Sequence, residues 1–302
     1  MERIKQALEK ARLERQKANS GSSVISGVVR GARAEKPLVY THTRIVELDR
    51  ALLQDKRIIS ALEQSPYSDA YKILRTQVLQ RLQEKGLNSL AVTSAGMNEG
   101  RTLTAINLAI SLAMEVNYTV LLVDADLRHP GVHTQLGLDA QYGLSDFLTQ
   151  DKPLTELLIH PSGIPRLVIL PGGKPLINSA EMLNSPKMVS LVEELKTRYP
   201  SRIILFDLPP LLNTADALAF SPYVDAALLV IEEGKTQADD VKHAMDLLQG
   251  THVLGTVLNK SWNSAQQGEN LSIDWANQFQ GRMQILRAML ASWFSRLRRK
   301  MH

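Results

Sequence analysis

The chain has 302 residues, 44% of them hydrophobic, and no cysteine. That length suits one large domain with extensions or two smaller domains, and the absence of cysteine excludes disulfides and cysteine metal sites. The net charge of +4 is unevenly spread: residues 1–36 hold nine Lys/Arg against four Asp/Glu, residues 282–302 hold six against none, and the body between is left at −7. Basic ends on an acidic body point to an anionic surface or partner. Nucleic acid fits poorly, because neither aromatic–basic interleaving nor a helix-turn-helix pattern accompanies the charge. Met1 to Arg15 is charged throughout, unlike a secretory leader. No apolar run approaches the roughly 20 residues of a membrane helix. The expectation is a soluble or peripheral protein.

In chain order, Ile4, Ala7, Leu8 and Ala11 recur at helical spacing, so Glu2 to about Lys17 reads as a short charged helix. Asn19 to Lys36 is rich in small residues and reads as flexible linker. Thr43 to Leu53 reads as a strand and a short helix strapped to the domain. Ser65 to Lys85 is a helix, with Ser68 as its cap and Ile73, Leu74, Val78, Leu79 and Leu82 on one face. From residue 88 strand and helix alternate. Strands fall near 89–94, 119–124, 167–170, 202–207, 226–231 and 252–258, and helices near 101–116, 180–199, 213–220 and 237–249. This pattern specifies an α/β fold: a mostly parallel sheet with helices on both faces. Ser261 to Gln280 is polar. Beyond it, Leu286, Met289, Leu290, Trp293, Phe294, Leu297 and Met301 share one face of a basic helix over 282–302. Such a helix suits an anionic membrane surface, a groove on a partner, or the face of its own domain. The expected organisation is an extension over 1–60, a nucleotide-binding domain over 61–260, and a linker with an amphipathic helix over 261–302.

The functional signal lies at strand ends. Ser89 to Thr93 runs into Ala95-Gly96-Met97-Asn98-Glu99-Gly100-Arg101-Thr102, and a helix follows. Strand, loop and helix in that order suit a phosphate-binding loop, in which backbone N–H groups and the positive helix end bind polyphosphate. Against G-x-x-x-x-G-K-[ST] the loop has alanine for the first glycine and Arg101 for the lysine. The Thr102 hydroxyl suits Mg²⁺. The next strand ends at Asp124, and alternation places Asp126 on the same side. A further strand ends at Asp207. Carboxylates at strand ends beside a phosphate loop suit Mg²⁺ and a phosphoryl acceptor. His129 and His133 stand four apart around Pro130 and Gly131, and read as structural.

At these residues the chain resembles the bacterial tyrosine kinases, P-loop proteins of capsule and exopolysaccharide synthesis. The resemblance rests on AYKILRTQVL at 70–79, the loop at 94–102, LLVDADLRHPGVH at 121–133 and ILFDLPPLLNTADALAFSPYVDAALLVI at 204–231. It implies a P-loop NTPase-like fold using ATP and Mg²⁺. Asn98, Glu99, Gly100, Arg101, Thr102 and Leu103 would bind the nucleotide, with Asn259 at the adenine. Thr102, Asp124 and Asp207 would hold the metal. Asp124, Asp126 and Arg101 would act in catalysis, Asp124 by orienting or deprotonating a tyrosine hydroxyl. It also implies a membrane chain-length determinant or co-polymerase as partner, a location at the inner face of the cell membrane, and a ring assembled through Asp69, Lys72 and Arg75. Two departures stand out. Arg101 replaces a compact lysine charge by a planar guanidinium, and the tail after Tyr223 holds no tyrosine. A nucleotide-dependent scaffold with little transfer is therefore a second reading. A Par/Min-type positioning ATPase is a third, although Gly96 stands where that group carries a signature lysine.

Overall fold

The computed structural model describes residues 43–61, 66–199 and 201–261. The expected helix over Glu2–Lys17, the linker over Asn19–Lys36 and the amphipathic helix over 282–302 lie outside the described residues. An eight-stranded sheet organises the rest: β1 (Arg44–Val46), β2 (Ser89–Ser94), β3 (Thr119–Asp124), β4 (Ile159–Pro161), β5 (Leu167–Leu170), β6 (Arg202–Asp207), β7 (Ala226–Glu232) and β8 (His252–Asn259). The spatial order is β1-β4-β5-β3-β6-β2-β7-β8. All neighbours are parallel except β4 and β5. The inner strands are nearly continuous apolar runs because helices cover both faces of a parallel sheet.

Alternation along each strand sorts side chains between two cores. Leu90, Val92, Val120, Leu122, Ile203 and Leu205 face the helices Pro66–Lys85 and Arg101–Ala113, together with Val78, Leu82, Ile106 and Ile110. Ala91, Leu121, Val123, Ile204 and Phe206 face the helix Pro186–Arg198 with Met188, Leu191 and Leu195. The parity carries a consequence for the site. Asp124 continues the series Val120–Leu122, and Asp207 continues Ile203–Leu205, so both carboxylates belong to the face covered by the Arg101–Ala113 helix.

Several expectations are corrected in detail. The helix over 66–85 already begins at Pro66, so Ser68 sits inside its first turn instead of capping it; proline is at home there because its missing N–H has no partner to lose. Ile73 stays 37% exposed while Val78 and Leu82 are buried. The single helix expected over 180–199 is two, Ser179–Leu183 and Pro186–Arg198. Pro186 cannot continue the first, and the Ser185 side chain caps the second by accepting from Met188 N at 3.3 Å. Arg75, expected at an assembly surface with Asp69 and Lys72, turns inward: it donates to Ser111 O at 3.1 Å and pairs with Glu115 at 2.9 Å. Asp69 and Lys72 remain exposed and pair with each other at 2.7 Å.

Candidate nucleotide site

The loop between β2 and the Arg101–Ala113 helix is shaped from inside and strapped from outside. Glu99 is buried and folds back, its Oε2 accepting from Gly96 N at 2.9 Å. Its Oε1 accepts from the Thr236 hydroxyl at 2.5 Å. Asn98 adopts φ 62° and Gly100 φ 90°. Asparagine tolerates that left-handed region, and glycine does so freely. A Cβ on Gly100 would lie 2.1 Å from Asn259 Nδ2. That amide nitrogen donates to Glu99 O at 2.8 Å. Lys260 Nζ donates to Asn98 O at 2.7 Å and Lys235 Nζ to Met97 O at 3.2 Å. Both ammonium groups also meet Glu232, whose pKa the Lys260 hydrogen bond holds down. The outer carbonyls of the loop are thus taken up by side chains from β8 and from the turns that follow β7 and β8. The N-terminus of the helix, with its unpaired first-turn N–H groups, opens at Gly100.

Asp124 and Asp207 are register partners on adjacent parallel strands, and both are fully buried. Asp124 Oδ2 accepts from Gly131 N at 2.9 Å and Val132 N at 3.0 Å; its Oδ1 has no hydrogen-bond partner, nor does either oxygen of Asp207. Burial and the neighbouring Asp207 push the pKa of Asp124 well up. Burial likewise raises Asp207 to about 6, against the opposing pull of Arg101 and the nearby Thr102 hydroxyl. Thr102 is thus close enough to favour the charged form, although the Asp207 oxygens lack a hydrogen bond of normal geometry. Asp126 Oδ1 accepts from His129 N at 2.9 Å, and its Oδ2 pairs with the Arg101 guanidinium. Arg101 also donates from Nε to Leu208 O, with that nitrogen 3.9 Å from Asp207 Oδ1. It lies folded over the acids.

The sequence-predicted residues therefore converge: Arg101, Asp126 and Asp207 touch or nearly touch, Asp124 is the register neighbour of Asp207, and Asn259 closes on Glu99 and Gly100. His129 and His133 do not meet as a pair: His129 supplies its backbone N–H to Asp126, and the His133 ring contacts Thr134 at 3.2 Å. Among the described residues, no three His, Cys, Asp or Glu side chains form a metal cage. Orphaned buried carboxylate oxygens beside a hydroxyl are what a hard cation needs when it brings water and phosphate oxygens with it, so Thr102, Asp124 and Asp207 fit Mg²⁺.

Sequence reasoning missed several parts of the site. Thr236, Lys235 and Lys260 reach the loop, and Glu232 reaches the two lysines, only through the fold; adjacency to Asn259 was the one available hint for Lys260. Gly172 follows β5, and a Cβ there would stand 2.7 Å from the Pro130 side chain and 3.3 Å from Asp124 Cγ, so this glycine lets the loop close on Asp124. Arg128, 3.4 Å from the buried Asp216, ties the turn after β3 to the segment after β6.

Fold and site together define a P-loop nucleotide-binding protein. A family model described as an AAA domain matches residues 91–245. The tyrosine-protein kinase YwqD of Bacillus subtilis (strain 168) is 33% identical over 214 residues, 70% of this chain and 89% of that protein. The succinoglycan biosynthesis transport protein ExoP of Rhizobium meliloti (strain 1021) is 29% identical over 272 residues, which are 83% of this chain but 33% of that protein. Among solved structures, the crystal structure of the chimerical protein CapA2B2 superposes with a TM-score of 0.63 at 25% identity, covering 72% of this chain and 93% of that one. The chain belongs to the bacterial tyrosine kinase family. It spans most of a relative such as YwqD and about a third of a longer one such as ExoP.

Proposed function

We propose that the chain binds ATP–Mg²⁺ at the Gly96–Thr102 loop and transfers the γ-phosphoryl group to a tyrosine hydroxyl. The observation that carries this reading is the pair of buried, register-matched carboxylates, Asp124 and Asp207, with unpartnered oxygens beside a phosphate loop. Helix-end N–H groups from Gly100 to Leu103 bind phosphate oxygens, and Thr102, Asp124 and Asp207 hold the cation. When bound, Mg²⁺ neutralises charge developing on the transferred group. Asp124, fixed by Gly131 and Val132, orients the phenol and takes its proton. Asp126 holds Arg101 over the acids, and Arg101 supplies a positive charge to the phosphates once it turns from that partner. Such catalysis is positioning and charge neutralisation rather than covalent chemistry.

A second reading is favoured by one contact. Arg101 is paired with Asp126 inside the acid cluster, and to meet phosphate it must leave a partner that a lysine, with a point charge and one attachment, would leave more readily. A scaffold that binds ATP and transfers little would result. Isothermal titration with ATP and Mg²⁺, beside a phosphotyrosine assay, separates the two. Arg101→Lys is expected to raise transfer by about tenfold, the size of an altered charge-assisted contact worth about 1.4 kcal/mol. Binding without any phosphotyrosine in either protein would establish the scaffold.

The family and the ExoP name support a role in exopolysaccharide or capsule chain length or export with a membrane co-polymerase. No helix among the described residues is long and apolar enough to cross a membrane; a membrane contact through a partner or through the basic residues 282–302 is part of this reading. Self-assembly would use the exposed Asp69–Lys72 surface, with Arg75 released from Glu115. Flotation with anionic liposomes should carry the full-length chain and leave a 1–280 truncation behind; equal flotation of both would remove the lipid role of the tail.

A further inference from the structure

The proposed reaction needs a phenol, and the choice of one rests on that reading. The fold sorts the tyrosines whose side chains are described. Tyr71 points inward, its pKa raised by burial and its hydroxyl bonded by Thr104 and Asn107. Tyr118 accepts from Gln83, and Tyr223 donates to Asn184. Two tyrosines are well exposed, Tyr142 at 43% and Tyr199 at 44%. Tyr199 precedes β6, at the amino edge of the sheet, with Arg202 stacked 4.1 Å from its ring centroid. Tyr142 stands at the opposite edge.

Three contacts fix that placement. Leu144 N donates to Pro171 O at 2.7 Å and Ser145 N to Gly172 O at 2.9 Å, so the turn carrying Tyr142 is docked on the loop leaving β5. β5 ends at Leu170, the register partner of Val123, one residue before Asp124. Gly172 in the same loop approaches Asp124 so closely that a Cβ on it would lie 3.3 Å from the carboxylate carbon. Tyr142 is therefore two short loops from the acid assigned to accept the phenolic proton, on the face where strand ends meet the phosphate loop. Its ring also carries a cation, Lys152 Nζ, 3.8 Å from the centroid. An ammonium there is placed to pair with a phosphate ester once formed.

We propose that Tyr142 is a phosphoacceptor of this protein, a modification site at the mouth of its own class of active site. In the step, Tyr142 Oη forms a bond to the γ-phosphorus of ATP while the bond from that phosphorus to the β,γ-bridging oxygen breaks. ADP leaves with the electron pair, and the phenolic proton passes to the Asp124 carboxylate. The phosphate then pairs with Lys152.

The test is incubation of the full-length chain with ATP and Mg²⁺, followed by phosphopeptide mapping by mass spectrometry. Wild type, Tyr142→Phe, Tyr199→Phe and Asp124→Asn are run in parallel, with circular dichroism to verify folding. Tyr142→Phe removes one exposed oxygen, and nucleotide binding is expected to be unchanged. Phosphotyrosine on the Tyr142 peptide, lost in Tyr142→Phe and Asp124→Asn but kept in Tyr199→Phe, supports the assignment. Phosphotyrosine on other peptides only, undiminished in Tyr142→Phe, overturns it and leaves the kinase reading standing. A wild type without phosphotyrosine at any position overturns the assignment, and absence of transfer to an added tyrosine peptide as well removes the kinase reading.

Discussion

Asp124→Asn is expected to lower phosphoryl transfer to tyrosine by about 10²–10⁴-fold, the range that a positioned acid or base contributes. ATP affinity is expected to change far less. An asparagine amide oxygen still accepts the two N–H groups of Gly131 and Val132 that hold Asp124, so the turn after β3 keeps its shape. What is lost is the unpartnered Oδ1 as a proton acceptor and cation ligand. Labelled ATP, with phosphotyrosine quantified in single turnover, provides the measurement. Transfer within threefold of wild type would show that Asp124 is not the residue on which the chemistry turns.

Asp207→Asn is expected to stabilise the nucleotide-free protein while abolishing Mg²⁺-dependent binding. Burial holds the Asp207 carboxyl at about 6, above its unfolded value of 3.8. The native state therefore binds its proton more tightly than the unfolded chain does, and stability falls as pH rises from about 4 to about 6 and stays lower above. The gap between those two values corresponds to about 3 kcal/mol of buried charge at pH 8, and a domain of this size gains roughly 2–4 °C per kcal/mol. Asparagine removes that cost without removing volume. Thermal unfolding at pH 8 should show the variant melting several degrees above wild type, with the gap closing near pH 4. A variant that melts lower at pH 8 would mean that the Asp207–Arg101 attraction outweighs burial. The cost resides in the apo state and is offset when a cation arrives, which is how a binding site and a stable core come to conflict.

The central sheet was legible because each inner strand is an unbroken apolar run ending in a charged or small residue, as Leu121-Leu122-Val123-Asp124 does. The three acids and the loop were legible for the same reason: strand ends are where these sheets hold ligands. β4 was not legible, since three residues ending in Pro161 carry no periodicity, and its antiparallel pairing with β5 is a tertiary choice. The helix break at Ser185-Pro186 was written in the sequence as a cap followed by proline, and a continuous helical pattern masked it. Arg101 shows a deeper limit. Its charge was readable, but whether it faces outward or folds onto Asp126 depends on how β2, β3 and β6 bring the ends together. Thr236 and Lys260 lie 137 and 162 positions from the loop residues they bond, and no local pattern reports such contacts.

The clasp made by Asn259 and Lys260 has a consequence for whatever lies beyond it. Asn259 ends the last described strand and Lys260 follows it, so the described chain stops at residue 261, within two residues of the hydrogen bonds that hold the carbonyls of Asn98 and Glu99. A load applied to the chain beyond Lys260 would therefore act first on the two hydrogen bonds that set the carbonyls of Asn98 and Glu99.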